Sequence, residues 1–128
     1  MTFDLHAINK EVPRHSFNYS GWANILDMVG PLISCGMVVG GNWTFVADEN
    51  GFRPIDNDGY LVDQDTARMF ARYIQGVLHI NQANKEQLEI LAEAGILDPP
   101  CEIFSENWVR QLERFVEFCN NCGGFTID

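Results

Sequence analysis

Basic residues are scarce. The chain of 128 residues carries 8 Lys and Arg against 18 Asp and Glu, a formal charge of −10. Residues 1–64 hold 8 acids and 3 bases and residues 65–128 hold 10 and 5, so each half stands at −5 and the excess is not a detachable tail. A surface of that sign repels phosphate backbones, which argues against direct nucleic-acid binding and suits a basic partner protein. Long apolar runs are also missing. Nothing approaches the roughly 20 apolar residues that a membrane-spanning helix needs, so no membrane partner is expected. The opening MTFDLHAINKEVPRH has no basic-then-apolar layout of a signal peptide. Four cysteines at irregular spacing do not make a secreted disulfide framework. Reduced thiols in a cytoplasmic protein of bacterial or phage origin are the expectation.

Signatures of catalysis are equally thin. There is no G-x-S-x-G, no H-E-x-x-H and no phosphate loop; GMVVGG has the glycines of such a loop without its Lys-Ser/Thr ending. No cofactor is expected. His6, His15 and His79 are scattered along the chain, and the sequence supplies no spacing rule that would pair any of them with a cysteine.

What is present is patterning. With 46% hydrophobic residues and this length, the chain can bury a core as a single globular domain, residues 1–128. Residues 1–19 show no clear period; Phe3, Leu5 and Ile8 fit a docked strand or an arm, and a loop reads equally well. SGWANILDMVGP reads as a short helix capped by Ser20, with Trp22, Ile25, Leu26 and Val29 inward and Gly30–Pro31 as its left-handed end. Met37–Val39 and NWTFVA read as strands turning at Gly40–Gly41. Asn50–Gly51 signals a hairpin into a return strand at Phe52–Arg53 that Pro54 cuts short, and Tyr60–Val62 reads as a further short strand. Asp63 caps the clearest helix, where Ala67, Phe70, Ala71, Ile74, Val77 and Leu78 form a continuous apolar stripe to about residue 79. Another helix is expected to start at Asn84, with Gln87 completing a capping box, and to stop at Gly95. A last helix starts near Ser105, its inner face stepping through Trp108, Leu112, Phe115 and Cys119. The fold class is α+β: a small, mostly antiparallel sheet from about residues 36–62 packed against three to four helices.

Cys119-x-x-Cys122 followed by Gly123–Gly124 is the most conspicuous motif. A zinc site would need two further ligands, and Cys35 and Cys101 are isolated. A redox pair wants a helix N-terminus, whereas this pair falls at a helix C-terminus, where the dipole disfavours a thiolate. Cys119 instead continues the apolar stripe, and Gly123 stands where a C′ cap belongs. A metal role would require Cys35 or Cys101 to approach Cys122. No metal ligands are assigned.

The acidic stretch DENGFRPIDNDGYLVDQD places Asp48, Glu49, Asp56, Asp58, Asp63 and Asp65 around a single Arg53. It fails the EF-hand template: with Gly59 in the sixth position, Pro54 would occupy the first, which needs an oxygen ligand. These six acids are the candidate contact surface for a basic protein. The leading functional reading is therefore a non-enzymatic acidic inhibitor or immunity-type protein, such as a phage-encoded blocker of a host defence nuclease, with homo-oligomers allowed. A second reading is a small-ligand or nucleotide-binding module using Trp43 or Tyr60 beside the Gly40–Gly41 turn. A third is a zinc or thiol enzyme.

Two segments, NDGYLVDQDTARMFARYI and FVEFCNNCGGFTI, together with the early Gly21–Trp22, resemble segments of small bacterial and phage proteins. The resemblance implies structural roles for Cys119 and Gly123–Gly124 and carries no activity.

Overall fold

The computed structural model describes residues 2–33, 35–37, 43–95 and 103–128. In chain order the elements are β1 (Thr2–Ala7), β2 (His15–Asn18), α1 (Tyr19–Val29), a 3₁₀ turn (Gly30–Leu32), β3 (Cys35–Met37), β4 (Trp43–Phe45), β5 (Tyr60–Asp63), α2 (Gln64–Glu93), α3 (Glu106–Asn121) and β6 (Gly124–Ile127). Helices and antiparallel strands are segregated into layers, so the α+β class holds.

The principal sheet, however, is not the one expected from residues 36–62. It has the order β2-β1-β6-β5, antiparallel throughout, and draws three of its four strands from the two ends of the chain. Within the stretch expected as a strand, arm or loop, residues 2–18 form the β1–β2 hairpin. The reason lies in a short period-two pattern: Phe3 and Leu5 point inward and are fully buried while Thr2 and His6 face solvent. Phe17 on β2, Phe125 and Ile127 on β6, and Tyr60 and Val62 on β5 complete the inner face. Among the described residues β3 and β4 pair with each other alone, Cys35 opposite Phe45 and Met37 opposite Trp43. Two strands of three residues cannot bury enough to stand as the main sheet. The expected turn at Gly40–Gly41 and the strand residues Val38 and Val39 lie outside the described residues. Phe52–Arg53 forms no return strand. Asp48 and Phe52 close a tight turn instead, with the Asp48 N–H donating to Phe52 O at 2.9 Å.

The helices cover the inner face. α1 is capped by Asn18 rather than Ser20: the Asn18 carboxamide oxygen accepts from the Gly21 N–H at 2.7 Å, and the Ser20 hydroxyl donates to that same oxygen. Trp22, Ile25, Leu26 and Val29 are buried as the spacing predicts. Gly30 does not take a left-handed cap. Its φ of −48° is right-handed, and Pro31 sits in the first turn of the 3₁₀ segment, where its missing N–H costs nothing. Asp63 caps α2 as expected, accepting from the Thr66 N–H at 2.8 Å.

α2 then runs unbroken for 30 residues to Glu93, so the two expected helices are one. The polar stretch Asn81–Asn84 contains neither Gly nor Pro to break it. Asn81 turns its side chain outward from the helix backbone to accept the Phe104 N–H at 2.9 Å. Past the C-cap of α2, Ala94, Gly95 adopts a φ of +84°.

α3 starts at Ser105, whose hydroxyl accepts from the Trp108 N–H, and buries Leu112, Phe115, Val116, Phe118 and Cys119. The core where the layers meet is largely aromatic. Phe115 meets Phe17 edge-on at 5.3 Å and Trp22 edge-on at 6.3 Å, and Phe118 packs on Phe125 at 5.6 Å. At the α3–β6 junction Gly123 and Gly124 both have positive φ, +69° and +102°. Gly123 is the expected C′ residue. Gly124 is required for a second reason, because a Cβ there would lie 2.9 Å from Val62 O on the neighbouring strand.

Candidate functional site

The acidic segment begins where β4 ends and returns to the sheet at β5. Most of it, residues 46–59, is irregular backbone, yet it is fastened at three points. The Trp22 indole N–H, buried in the core, donates to Pro54 O at 2.9 Å. The Gly59 N–H donates to Ile127 O at 2.7 Å and so extends the β5–β6 pairing. The Asp48 carboxylate accepts from both the Asn50 and Phe52 N–H groups at 2.9 Å, holding the Asn50–Gly51 turn. The loop is thus a shaped surface carried by the core.

The six candidate acids divide by what they touch. Asp48 is half-buried and spends its Oδ1 on the turn. Asp56 pairs with Arg53 through both carboxylate oxygens, Nε–Oδ2 at 2.9 Å and Nη2–Oδ1 at 3.3 Å. Asp63 caps α2, and the hydrogen bonds from Thr66 hold its carboxyl below the usual aspartate value. Glu49, Asp58 and Asp65 are exposed and take no part in any hydrogen bond or ion pair between side chains among the described residues. Asp65 lies in the first turn of α2, where the helix dipole favours a negative charge.

Tyr60 ties this group together electrostatically. It is buried, and its hydroxyl pKa is pushed up first by that burial and then by the charges of Asp48 and Asp63. A ring so enclosed offers little face to a ligand. Trp43, its companion in the ligand-binding reading, stands on β4 opposite Met37, and its side chain lies outside the described residues. Asp128, which sequence reasoning did not single out, borders the same loop. Its backbone exchanges two hydrogen bonds with Asp4 at 2.8 Å, and its carboxylate approaches His6 at 3.6 Å. Its place beside Gly59 follows from β6 lying next to β5, a pairing between distant segments with no local signature.

The cysteines of the C-x-x-C are both fully buried. Cys122 Sγ donates weakly to Cys119 O at 3.5 Å. Burial pushes both thiols up, Cys119 well above its ordinary value with Cys122 adding to the effect, and Cys122 also upward. A buried thiol that resists ionising is a poor nucleophile. Cys35 faces Phe45 across the β3–β4 ribbon, and Cys101 lies outside the described residues. Among the described residues no three His, Cys, Asp or Glu side chains converge as metal ligands. No described helix is long and apolar enough to cross a membrane.

Open grooves lie away from the acidic loop, among them one of about 660 Å³ between α1 and the start of α3, past Asp27, Met28 and Trp108. Another, of about 540 Å³, runs between α2 and α3 past Leu78, Asn81, Phe104 and Arg110. A third, of about 630 Å³, lies where the β1–β2 hairpin loop crosses α3 and is edged by Arg14, His15, Arg114 and Glu117. His15 is packed among Phe17, Phe115 and Phe118, and its pKa is lowered first by burial and then by Arg114. No family model, curated protein or solved structure matches this chain.

Proposed function

We propose that this chain is a non-enzymatic binding protein that docks its 46–65 segment on a basic surface of another protein. The observation that supports the reading is the division of labour within the segment. Asp48, Asp56 and Asp63 are used to shape and cap it, while Glu49, Asp58 and Asp65 stand in solvent with their charge available. A loop held in shape before binding loses less entropy on docking, and an acidic field of −10 steers a basic partner toward it. An inhibitor or immunity-type role, in which the segment covers a nucleic-acid-binding surface of a nuclease, is the specific form of the proposal.

The test compares wild-type protein with a Glu49→Gln, Asp58→Asn, Asp65→Asn triple variant as bait in bacterial lysate, at low and moderate salt. Recovery of a basic protein by wild type, weakened by salt and lost in the triple variant, is the expected result. Retention indifferent to both salt and the three substitutions would overturn it. So would the absence of any retained partner.

A further inference from the structure

α2 is nearly twice as long as the helix it packs against. Asn81 meets the start of α3 through Phe104, and beyond Asn81 no residue of α2 is buried. The remaining turns, to Glu93, have an inner face, Asn84, Leu88 and Leu91, that is only half-buried. Along the outer side of the whole helix runs a second apolar stripe, separate from the buried one. Met69, Tyr73, Ile80 and Ile90 are 42%, 46%, 61% and 59% exposed, and they are four of the nine large exposed hydrophobic residues described. On the same alternating spacing of four and three, Gly76, Ala83 and Gln87 lie between them, and Ala94, the C-cap of α2, follows Ile90. That is the spacing of a coiled-coil seam, kept over about three and a half heptads and about 38 Å.

We propose that the occupant of this seam is a second copy of the same chain, paired antiparallel about a two-fold axis between Ile80 and Ala83.

Three features select that occupant. The first is size complementarity. In this register Ile80 faces the partner's Ala83, Met69 the partner's Ala94, Gly76 the partner's Gln87, and Tyr73 the partner's Ile90. Bulky side chains meet small ones in three of these four layers, which lets two helices approach closely. The second is charge. The same flank of the seam carries Asp65, Arg68 and Arg72 in the first half of α2, net basic, and Glu86, Glu89 and Glu93 in the second. None of these six makes an ion pair among the described residues. Antiparallel pairing brings Arg72 beside the partner's Glu93 and His79 beside the partner's Glu86, and the two-fold repeats each contact. Parallel pairing would stack like charges at the same height and leave each half unmatched. The third is shape: reversal lays the second half of each α2 along the first, core-bound half of the other. An isologous contact of this kind closes on itself and stops at a dimer.

Sedimentation of the intact protein over a wide concentration range, with Ile80→Glu and Ile90→Glu variants alongside, tests the proposal. Wild type should be a dimer. Each variant should be a monomer with unchanged circular dichroism, since both side chains stand in solvent in the single chain, and its melting temperature should lose the concentration dependence of wild type. If Ile80→Glu disturbs the fold, Ile90→Glu, near the end of α2, still decides the matter. Charge reversal tests the direction of pairing. Arg72→Glu and Glu93→Arg should each weaken the dimer about tenfold, and the double variant should restore it. A wild type that stays monomeric overturns the proposal, as does a dimer indifferent to both glutamates. Failure of the double reversal to restore affinity overturns the antiparallel register.

Discussion

The carboxamide oxygen of Asn81 accepts the backbone N–H of Phe104 at 2.9 Å, and Asn81 is the one buried polar side chain among the described residues. The contact ties the middle of α2 to the segment that leads into α3. An Asn81→Leu variant keeps the volume but strands the Phe104 N–H. The expected cost is about 1–3 kcal/mol in urea unfolding, because an unmade buried hydrogen bond costs more than a made one contributes. A variant within a few tenths of a kcal/mol of wild type would mean that water replaces the carboxamide.

Gly124→Ala should be among the most damaging single-atom additions. It combines a φ of +102° with a Cβ placed 2.9 Å from Val62 O and 3.2 Å from Gln64 N, both backbone atoms that cannot swing aside. Left-handed strain alone is worth about 1–3 kcal/mol, and the contact with β5 adds to it. Thermal melting of this variant beside Gly51→Ala separates the two effects, since Gly51 also has positive φ but nothing within 4 Å of an added Cβ.

The buried thiols set the alkaline limit of stability. Cys119 and Cys122 are raised in the fold, so folding favours their neutral forms. That contribution is fully present below the ordinary thiol value of 9.0 and is lost as pH rises through it toward the raised values. Stability measured by denaturant should therefore fall above that point, and a Cys119→Ala, Cys122→Ala double variant should show a flatter profile. Site-resolved alkylation should leave both residues unmodified in native buffer and modify both in urea.

His15 governs the mildly acidic side. Its pKa is lowered by burial and by Arg114, so the unfolded chain binds the proton more readily than the folded one. The stabilisation is present above the ordinary value of 6.5 and is lost as pH falls through it. A His15→Phe variant should remove this part of the pH dependence while preserving the packing against Phe17, Phe115 and Phe118. An unchanged slope below pH 6.5 in that variant would assign the effect to other groups.

Trp22→Phe isolates the fastening of the acidic loop. The replacement keeps an aromatic ring in the core but deletes the indole N–H that donates to Pro54 O. Increased amide exchange confined to residues 46–59 is expected, with a stability loss of about 1–3 kcal/mol for the abandoned carbonyl. If the segment does dock on a basic protein, the same variant should bind it more weakly even though no charge has been altered.

Much of the fold was legible because it rests on local chemistry. Asp63 and Ser105 announce helix starts through side chains that can accept an N–H, and Gly95 and Gly123 announce ends through backbone conformations that other residues resist. The stripe from Ala67 to Ile74 identifies its helix by spacing alone. The sheet was legible only in one strand, Tyr60–Val62, which is β5, and not in its pairing. β1, β5 and β6 are four to six residues long, and each needs partners far away in the chain, so no window of sequence contains the pairing. Asn84 was misleading because an asparagine that can cap can equally sit inside a helix when nothing nearby breaks it. At the candidate surface the sequence supplied the acids but not their division, since only coordinates show that Asp48 and Asp56 are engaged by the Asn50–Gly51 turn and by Arg53. The outer stripe of α2 was hidden by the stronger inner one, and it becomes visible only once the inner face is known to be occupied.

β6 follows every other described strand in sequence and is an inner strand of the sheet, with β1 on one side and β5 on the other. Order of synthesis and order of assembly therefore conflict. The β1–β2 hairpin leaves the ribosome early but has only one neighbour until residues 124–127 arrive, and β5 has none. Helices can form meanwhile from local contacts, yet the face they are meant to cover is split in two. A search for such distant partners slows folding. Until it succeeds, β1 and β5 each present an open edge, the period in which this chain is most exposed to pairing with the wrong strand.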